Sequence, residues 1–165
     1  HYSAQSLLRD QTARGFANGI LWQSDPDCIL LRDKFHELTD TQLHSLATFA
    51  GFAGGVLMTS DNFDELSDER KSLFAALLRD TRPNPSRSPE LGKSPISYTL
   101  GTNHLNRPAA ISQADPVLIK QKDGPEGVTQ LIFNTGDVPV ELALPNPLTL
   151  AAYECRVVKR DGVEG

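Results

Sequence analysis

Cysteine is scarce in this sequence, with only Cys28 and Cys155 among 165 residues. Two cysteines cannot form the dense disulfide framework of a small secreted domain, so we expect both to be reduced. Cys28 lies within an apolar run, where a free cysteine usually packs as a small hydrophobic residue. The low cysteine content favours a cytoplasmic location but does not exclude secretion.

Excess positive charge and long apolar runs are also missing. The net charge is −5 and the isoelectric point is about 5.3, whereas nucleic acids and anionic membranes require basic surfaces. No apolar run approaches the roughly 20 residues of a membrane-spanning helix, and no N-terminal signal pattern is visible. We therefore expect no nucleic-acid or membrane partner. Because the chain starts at His1 and its only methionine is Met58, we expect that a segment upstream has been removed.

Motifs for metals and cofactors are absent as well. The four histidines, His1, His36, His44 and His104, show no metal-ligand spacing. There is no glycine-rich phosphate loop and no G-x-S-x-G elbow. The sequence therefore predicts neither a metal site nor a cofactor.

The first half of the chain predicts helices alternating with short apolar strands. The expected elements are a helix from about Ser3, a strand Gly19–Trp22, a helix opened by the capping box Thr39-Asp-Thr-Gln42, a strand Val56–Thr59 and a helix capped by Ser67. Strands that are apolar on both sides and alternate with helices indicate a parallel sheet covered by helices. Two strands cannot complete such a sheet, so residues 1–81 are interpreted as the end of a larger unit. An isolated chain would then expose apolar faces and aggregate or form a homo-oligomer.

The second half predicts only strands. Residues 82–95 form a linker by composition, with several prolines and few apolar residues. Residues 96–165 then predict a small antiparallel β-sandwich, with strands over Ile96–Leu100, Val117–Lys122, Val128–Asn134, Val138–Leu144 and Leu148–Lys159.

The segment Asp25-Pro26-Asp27 places two carboxylates between two apolar runs. Pro26 keeps Asp25 extended, so both aspartates are expected to project to one side after the strand Gly19–Trp22. One interpretation is that they bind sugar hydroxyls while Trp22 supplies an apolar face. The other is structural, with Asp27 capping a turn and Asp25 pairing with a buried cation.

Ser60 and Asp61 hold the equivalent place after the second strand. They are candidates for the rim of a pocket, although serine and aspartate are also common in turns and helix caps.

An ordered set of segments resembles the C-terminal end of family 36 glycoside hydrolases, the α-galactosidase (melibiase) group, which is related to family 27. The segments are Phe16-Ala-Asn-Gly-Ile-Leu-Trp-Gln-Ser-Asp-Pro-Asp-Cys28, Leu38-Thr, Leu46-Ala-Thr-Phe, Ala53-Gly-Gly-Val-Leu-Met-Thr-Ser-Asp61 and Leu66-Ser-Asp-Glu-Arg70. Together they cover most of residues 3–80, and the tail around Leu131–Asp137 is loosely similar to the β-domain of these enzymes.

The resemblance implies that the two strands of the first half are strands 7 and 8 of a (β/α)₈ TIM barrel, followed by a small antiparallel β-sandwich. It implies a retaining mechanism with two carboxylates, both expected in segments before His1, so that no catalytic residue lies in this chain. Asp27, Cys28, Trp22 and Asp25 match sugar-pocket positions, with Asp25 mainly structural. Ser24 departs from the common asparagine.

The sequence thus predicts the C-terminal part of an α-galactosidase-like retaining glycosidase, inactive as an isolated piece. Its expected partners are an α-galactoside and the remainder of the barrel. Two alternatives stay open: a non-catalytic carbohydrate-binding or scaffold protein, and a related α-glycosidase or transglycosidase with another sugar specificity.

Overall fold

A computed structural model describes residues 4, 7–8, 11, 21, 25–53, 56–81, 96–100, 104–105, 117–124, 127–143 and 146–160. The predicted linker 82–95 and the site candidate Trp22 lie outside the described residues, as does most of the predicted strand Gly19–Trp22. The described part is a mixture of helices and sheets. Ala4, Leu7, Leu8 and Gln11 are helical, as expected for a helix near Ser3.

Two long helices follow in the first half, α1 over Asp40–Ala53 and α2 over Asp68–Thr81. The predicted capping box of α1 is confirmed: the Thr39 N–H donates to Gln42 Oε1 at 2.9 Å, and the Gln42 N–H donates to Thr39 Oγ1 at 3.3 Å. Ser67 caps α2 by accepting the Arg70 N–H at 3.3 Å. Both helix starts therefore follow from local hydrogen bonding that the sequence encodes.

The parallel strand pair consists of β1 over Cys28–Ile29 and β2 over Met58–Thr59. Cys28 is opposite Met58 and Ile29 is opposite Thr59. The prediction of a strand over Gly19–Trp22 is wrong at the residue that can be tested, since Leu21 lies in a turn and is 69% exposed. The second apolar run forms the strand because Ile29 and Leu31 are buried against α1 and α2. Asp25 and Asp27 consequently precede the strand rather than follow it.

Helix α1 is buried on two sides and joins the two halves of the chain. One apolar cluster packs it against the parallel strands and α2, through Ile29, Leu31, Leu43, Ala47, Ala50, Leu66 and Leu77. A second cluster packs it against the β-sheet, through Leu8, Phe49, Phe52, Leu118, Leu131, Phe133 and Cys155. A helix that is apolar on most of its surface is typical of such a central position.

The second half contains two antiparallel sheets. The larger has the strand order β4-β3-β5-β6-β9 and the smaller pairs β7 with β8. Their bounds are β3 Ile96–Leu100, β4 His104–Leu105, β5 Val117–Gly124, β6 Gly127–Asn134, β7 Val140–Leu142, β8 Leu148–Leu150 and β9 Cys155–Arg160. A third apolar cluster, Val117, Ile132, Leu142 and Leu150, packs the two sheets together.

The predicted single strand Leu148–Lys159 is instead two strands in different sheets, β8 and β9. The turn between them contains Tyr153 at a φ of 59°. Asn134, which is fully buried, donates from Nδ2 to the carbonyls of Val138 and Ala151, both at 2.8 Å. This amide holds the chain where it leaves one sheet for the other, and alternation of apolar residues does not reveal such a contact.

Candidate functional site

The aspartates of the Asp25-Pro26-Asp27 segment form a tight local structure at the start of β1. The Asp27 N–H donates to Asp25 Oδ1 at 2.9 Å, and the Cys28 N–H donates to Asp27 Oδ1 at 2.7 Å. Gln11 in turn donates from Nε2 to the Asp25 carbonyl at 3.0 Å. The Asp25 carboxylate therefore positions the backbone that carries Asp27.

Asp27 has a backbone φ of 69°, in the left-handed region that few residues other than glycine adopt. Its side chain is exposed, whereas Pro26 beside it is buried and Cys28 is half-buried. One carboxylate oxygen, Oδ1, accepts the Cys28 N–H. The loop thus holds an accessible carboxylate in a fixed orientation, in a backbone conformation that aspartate adopts more readily than most residues.

Asp61 lies at the opposite end of the parallel strand pair, two residues after β2. Its Oδ2 accepts the Leu31 N–H at 2.6 Å and the Thr59 hydroxyl at 2.7 Å. Its Oδ1 lies 3.5 Å from Arg32 Nε, and its side chain has no exposed surface. The carboxylate therefore joins the loops that follow β1 and β2, a geometry that suits support of a pocket better than contact with a ligand. Ser60 beside it is exposed.

The loop after β1 is held to the rest of the chain by further ion pairs. Lys34 Nζ lies 2.5 Å from Glu65 Oε2, and this hydrogen bond lowers the pKa of the Glu65 carboxyl. Arg70 Nη2 lies 2.5 Å from Asp40 Oδ1 and 3.4 Å from Asp33 Oδ1. These contacts attach the loop both to the loop after β2 and to the starts of α1 and α2.

A separate cavity of about 270 Å³ lies between the N-terminal helical residues, α1 and the β-sheet. Its described lining is Ala4, Leu8, Leu38, Gln42, Leu46, Phe133, Thr135 and Tyr153. None of the predicted site residues is among them. The cavity is therefore distinct from the aspartate segment at β1.

The structure brings Asp25, Asp27 and Cys28 together at one end of the strand pair and places Ser60 and Asp61 at the other. Sequence reasoning missed Arg32, which faces Asp61, and Arg70, which bridges two aspartates. Both lie in charged stretches, Arg32 near Lys34 and Arg70 beside Lys71, and no local pattern distinguishes them from surface charges.

The described residues contain neither a metal-binding cluster nor a membrane-spanning helix. No group of three or more histidine, cysteine, aspartate or glutamate side chains is arranged to hold a metal ion in the part of the chain that the structure describes. Within the same residues, no helix has the length and apolar character needed to cross a membrane.

Comparison with known proteins gives a structural likeness. No family model matches the sequence, and no curated protein matches it. The fold is similar to part of a solved structure from Bacteroides fragilis NCTC 9343, described as a "putative alpha-galactosidase". The TM-score is 0.64 at 14% sequence identity, and the match covers 94% of this chain. This chain spans 36% of that protein's length, and the likeness shows a similarity in fold.

Proposed function

We propose that the chain is the C-terminal part of a retaining glycoside hydrolase that acts on terminal α-linked galactose. The observation that carries the proposal is the fold likeness over 94% of the chain to a protein described as a "putative alpha-galactosidase". On this proposal, residues 1–81 are the last two βα units of a TIM barrel, residues 82–95 are a linker, and residues 96–165 are a β-domain that supports the barrel.

Asp27 is the residue that we propose contacts the sugar. Its carboxylate is exposed, and the hydrogen bond from the Cys28 N–H leaves it able to accept hydrogen bonds from hydroxyl groups. The hydrogen bond between the Asp27 N–H and Asp25 Oδ1 fixes its direction before substrate arrives. A carboxylate that is already oriented loses little freedom on binding, which favours affinity and specificity.

The remaining site residues have supporting roles in this proposal. Asp25 holds the loop, Cys28 and Trp22 line the wall beside the sugar, and Asp61 joins the two loops beyond the strands. The assignments of Trp22 and Cys28 rest on the sequence resemblance alone. The assignment of Asp25 is also supported by the hydrogen bond that its carboxylate accepts from the Asp27 N–H.

Retaining hydrolysis needs a nucleophilic carboxylate and a second carboxylic acid that protonates the leaving oxygen and then activates water. The sequence resemblance assigned both to segments before His1. On this proposal Asp27 binds the sugar and takes no part in proton transfer, and the kinetics of Asp27 variants test both parts of that assignment.

The test uses the full-length protein from which the chain derives, assayed with methyl α-galactoside and with an aryl α-galactoside. Asp27→Asn should lower kcat/KM by about tenfold or more, because an amide accepts fewer hydrogen bonds from sugar hydroxyls than a carboxylate. Asp137→Asn, a change in an exposed turn, is the control and should leave kcat/KM unchanged.

The changes in kcat and KM of the Asp27 variants distinguish the possible roles of this residue. A rise in KM with a fall in kcat/KM supports sugar contact. A fall in kcat that azide restores for Asp27→Ala would instead make Asp27 a proton-transfer residue of the same reaction. An Asp27→Asn variant with the activity of the wild type would remove Asp27 from the site.

A further inference from the structure

The cavity beside α1 has walls from separate parts of the chain. Ala4 and Leu8 come from the N-terminal helical residues, Leu46 from α1, Phe133 from β6 and Tyr153 from the turn between β8 and β9. Its volume is about 270 Å³, whereas an apolar cavity of roughly 150 Å³ already holds a benzene molecule. The cavity therefore has room for one aromatic ring with a substituent.

The cavity lies on the side of α1 that faces the β-sheet. Leu8 and Phe133 belong to the apolar cluster between α1 and that sheet, and Leu46 packs against the same cluster. The strand pair of β1 and β2 packs on α1 through a different cluster, which contains Leu43 and Ala47. Further barrel strands would pair with the edges of β1 and β2. The sheet of a complete barrel is therefore separated from this cavity by α1.

The lining combines apolar and hydrogen-bonding side chains, and none of the described lining residues is charged. Gln42, Thr135 and Tyr153 supply one amide and two hydroxyl groups, and the other lining residues are apolar. A charged ligand would lose its hydration here without meeting an opposite charge. A free sugar, with a hydroxyl on almost every carbon, would leave several hydroxyls without a partner. A neutral aromatic molecule with a single oxygen acceptor matches the lining best.

Two of the polar lining residues are held in place by hydrogen bonds within the protein. Gln42 Oε1 accepts the Thr39 N–H at 2.9 Å, so the Nε2 group carries the remaining hydrogen-bond donors of this side chain. The Tyr153 N–H donates to the Gly136 carbonyl at 3.1 Å, which joins the turn between β8 and β9 to the turn after β6. A ligand therefore meets walls that are already ordered, which favours binding.

We propose that this cavity binds a small neutral aromatic molecule with one oxygen acceptor, which receives a hydrogen bond from Gln42 Nε2. The binding site is separate from the proposed sugar pocket, since none of the candidate sugar-binding residues lines it. The proposal therefore does not depend on the glycosidase activity. A bound ligand would stabilise the folded protein, because it contacts both α1 and the β-sheet.

The experiment measures the binding of benzyl alcohol to the full-length protein by ligand-observed proton NMR. We expect saturable binding with a Kd of about 1 mM or tighter. Benzoate, which has the same ring but a negative charge, should bind about tenfold more weakly or less. Galactose in excess should not displace benzyl alcohol. Absence of saturable binding would overturn the proposal, as would displacement by galactose, which would place the probe in the sugar pocket.

Gln42→Glu tests the proposed hydrogen bond. Glutamate retains the side-chain oxygen that the capping box requires, but it replaces the Nε2 donor and adds a negative charge to the lining. The Kd for benzyl alcohol should rise about tenfold or more. Thr41→Glu is the matched control, because Thr41 is exposed on the same helix, is not a lining residue and receives the same charge. An equal Kd for the two variants would overturn the proposal.

Ala4→Trp tests the location of the bound molecule independently of Gln42. Ala4 is an exposed helical residue that lines the cavity, so a large side chain there occupies its space without replacing a core residue. Benzyl alcohol should no longer bind to this variant at concentrations up to ten times the wild-type Kd. Thr41→Trp, the control, should bind it as the wild type does. Equal binding to the wild type and Ala4→Trp would overturn the proposal.

Discussion

The buried carboxylate of Asp61 accepts the backbone N–H of Leu31 at 2.6 Å, across 30 residues of sequence. Because its other oxygen faces Arg32, the side chain ties the loop after β1 to the loop after β2. Both loops begin at the carboxyl ends of the parallel strands. The arrangement of that end therefore depends on one carboxylate.

Replacing Asp61 with asparagine should destabilise the protein. An amide retains the shape but presents an N–H₂ group either to the Leu31 N–H or to Arg32, so one donor loses its acceptor. We expect a loss of about 2 kcal/mol in the free energy of unfolding, measured by urea denaturation. Asp137→Asn, in an exposed turn, should have no measurable effect. If the two variants unfold at the same urea concentration, Asp61 does not have this role.

Ser45 connects α1 to the β-sheet by a side-chain hydrogen bond, in addition to the regular backbone hydrogen bonds of the helix and the sheet. Its Oγ accepts the Cys155 N–H at 3.0 Å, and both residues are buried. Ser45→Ala leaves that buried N–H without an acceptor, and we expect a loss of about 1–3 kcal/mol in unfolding free energy. Ser72→Ala, on an exposed position of α2, should be neutral or slightly stabilising because alanine favours helix. Equal effects of the two substitutions would contradict the account.

The thiol of Cys155 should make stability depend on pH in alkaline solution. Burial raises its pKa above the ordinary value of 9.0. The folded protein then holds this proton more tightly than the unfolded chain does. The stability that this raised pKa contributes is fully present below about pH 9 and is lost as the pH rises through the folded-state pKa.

Denaturation of the wild type and Cys155→Ala at a series of pH values between 8 and roughly 11 checks this expectation. The unfolding free energy of the wild type should fall more steeply above pH 9 than that of the variant. The difference in slope is the measured quantity, since lysines and tyrosines titrate in both proteins. Parallel curves would mean that the thiol does not titrate differently in the folded state.

Gly51 allows α1 and α2 to approach closely. A Cβ at this position would lie 2.8 Å from Leu77 Cδ2 and 3.2 Å from Leu77 Cβ. Gly51→Val should therefore force the helices apart and cost about 1–3 kcal/mol of unfolding free energy. His44→Val, at an exposed position of the same helix, measures the effect of valine on the helix alone. It should lower the free energy of unfolding by a few tenths of a kcal/mol. A Gly51→Val variant as stable as His44→Val would contradict this close approach.

The sequence predicted the features that depend on neighbouring residues. The capping box at Thr39, the cap at Ser67 and the strand Ile96–Leu100 are all present, because each follows from local hydrogen bonding or alternation. The position of β1 was not predictable, since two apolar runs flank the aspartates and only packing against α1 selects the second. The division of Leu148–Lys159 depends on Asn134, which is distant in sequence.

The sequence indicated which residues belong to the candidate site but not how they are arranged in space. Hydrogen bonds to backbone N–H groups of the same loop hold Asp25 and Asp27, but both precede β1, and Asp27 has a φ of 69° instead of the extended backbone that the prediction assumed. The hydrogen bond between Asp61 and Thr59 is local, but its contacts with Leu31 and Arg32 join residues about 30 positions apart, which neighbouring residues do not reveal. Contact between the candidate site residues and a sugar stays a prediction. These residues are Asp25, Asp27, Cys28, Trp22, Ser60 and Asp61, of which Trp22 lies outside the described residues.

The central claim is that the full-length protein hydrolyses terminal α-linked galactose with retention of configuration. Proton NMR of the reaction with an α-galactoside, followed from the first minutes, measures both the release of galactose and its anomeric form. The account predicts that α-galactose appears first and the β-anomer follows by mutarotation. Initial release of β-galactose would contradict the retaining mechanism, and no release from any α-galactoside would contradict the proposed function.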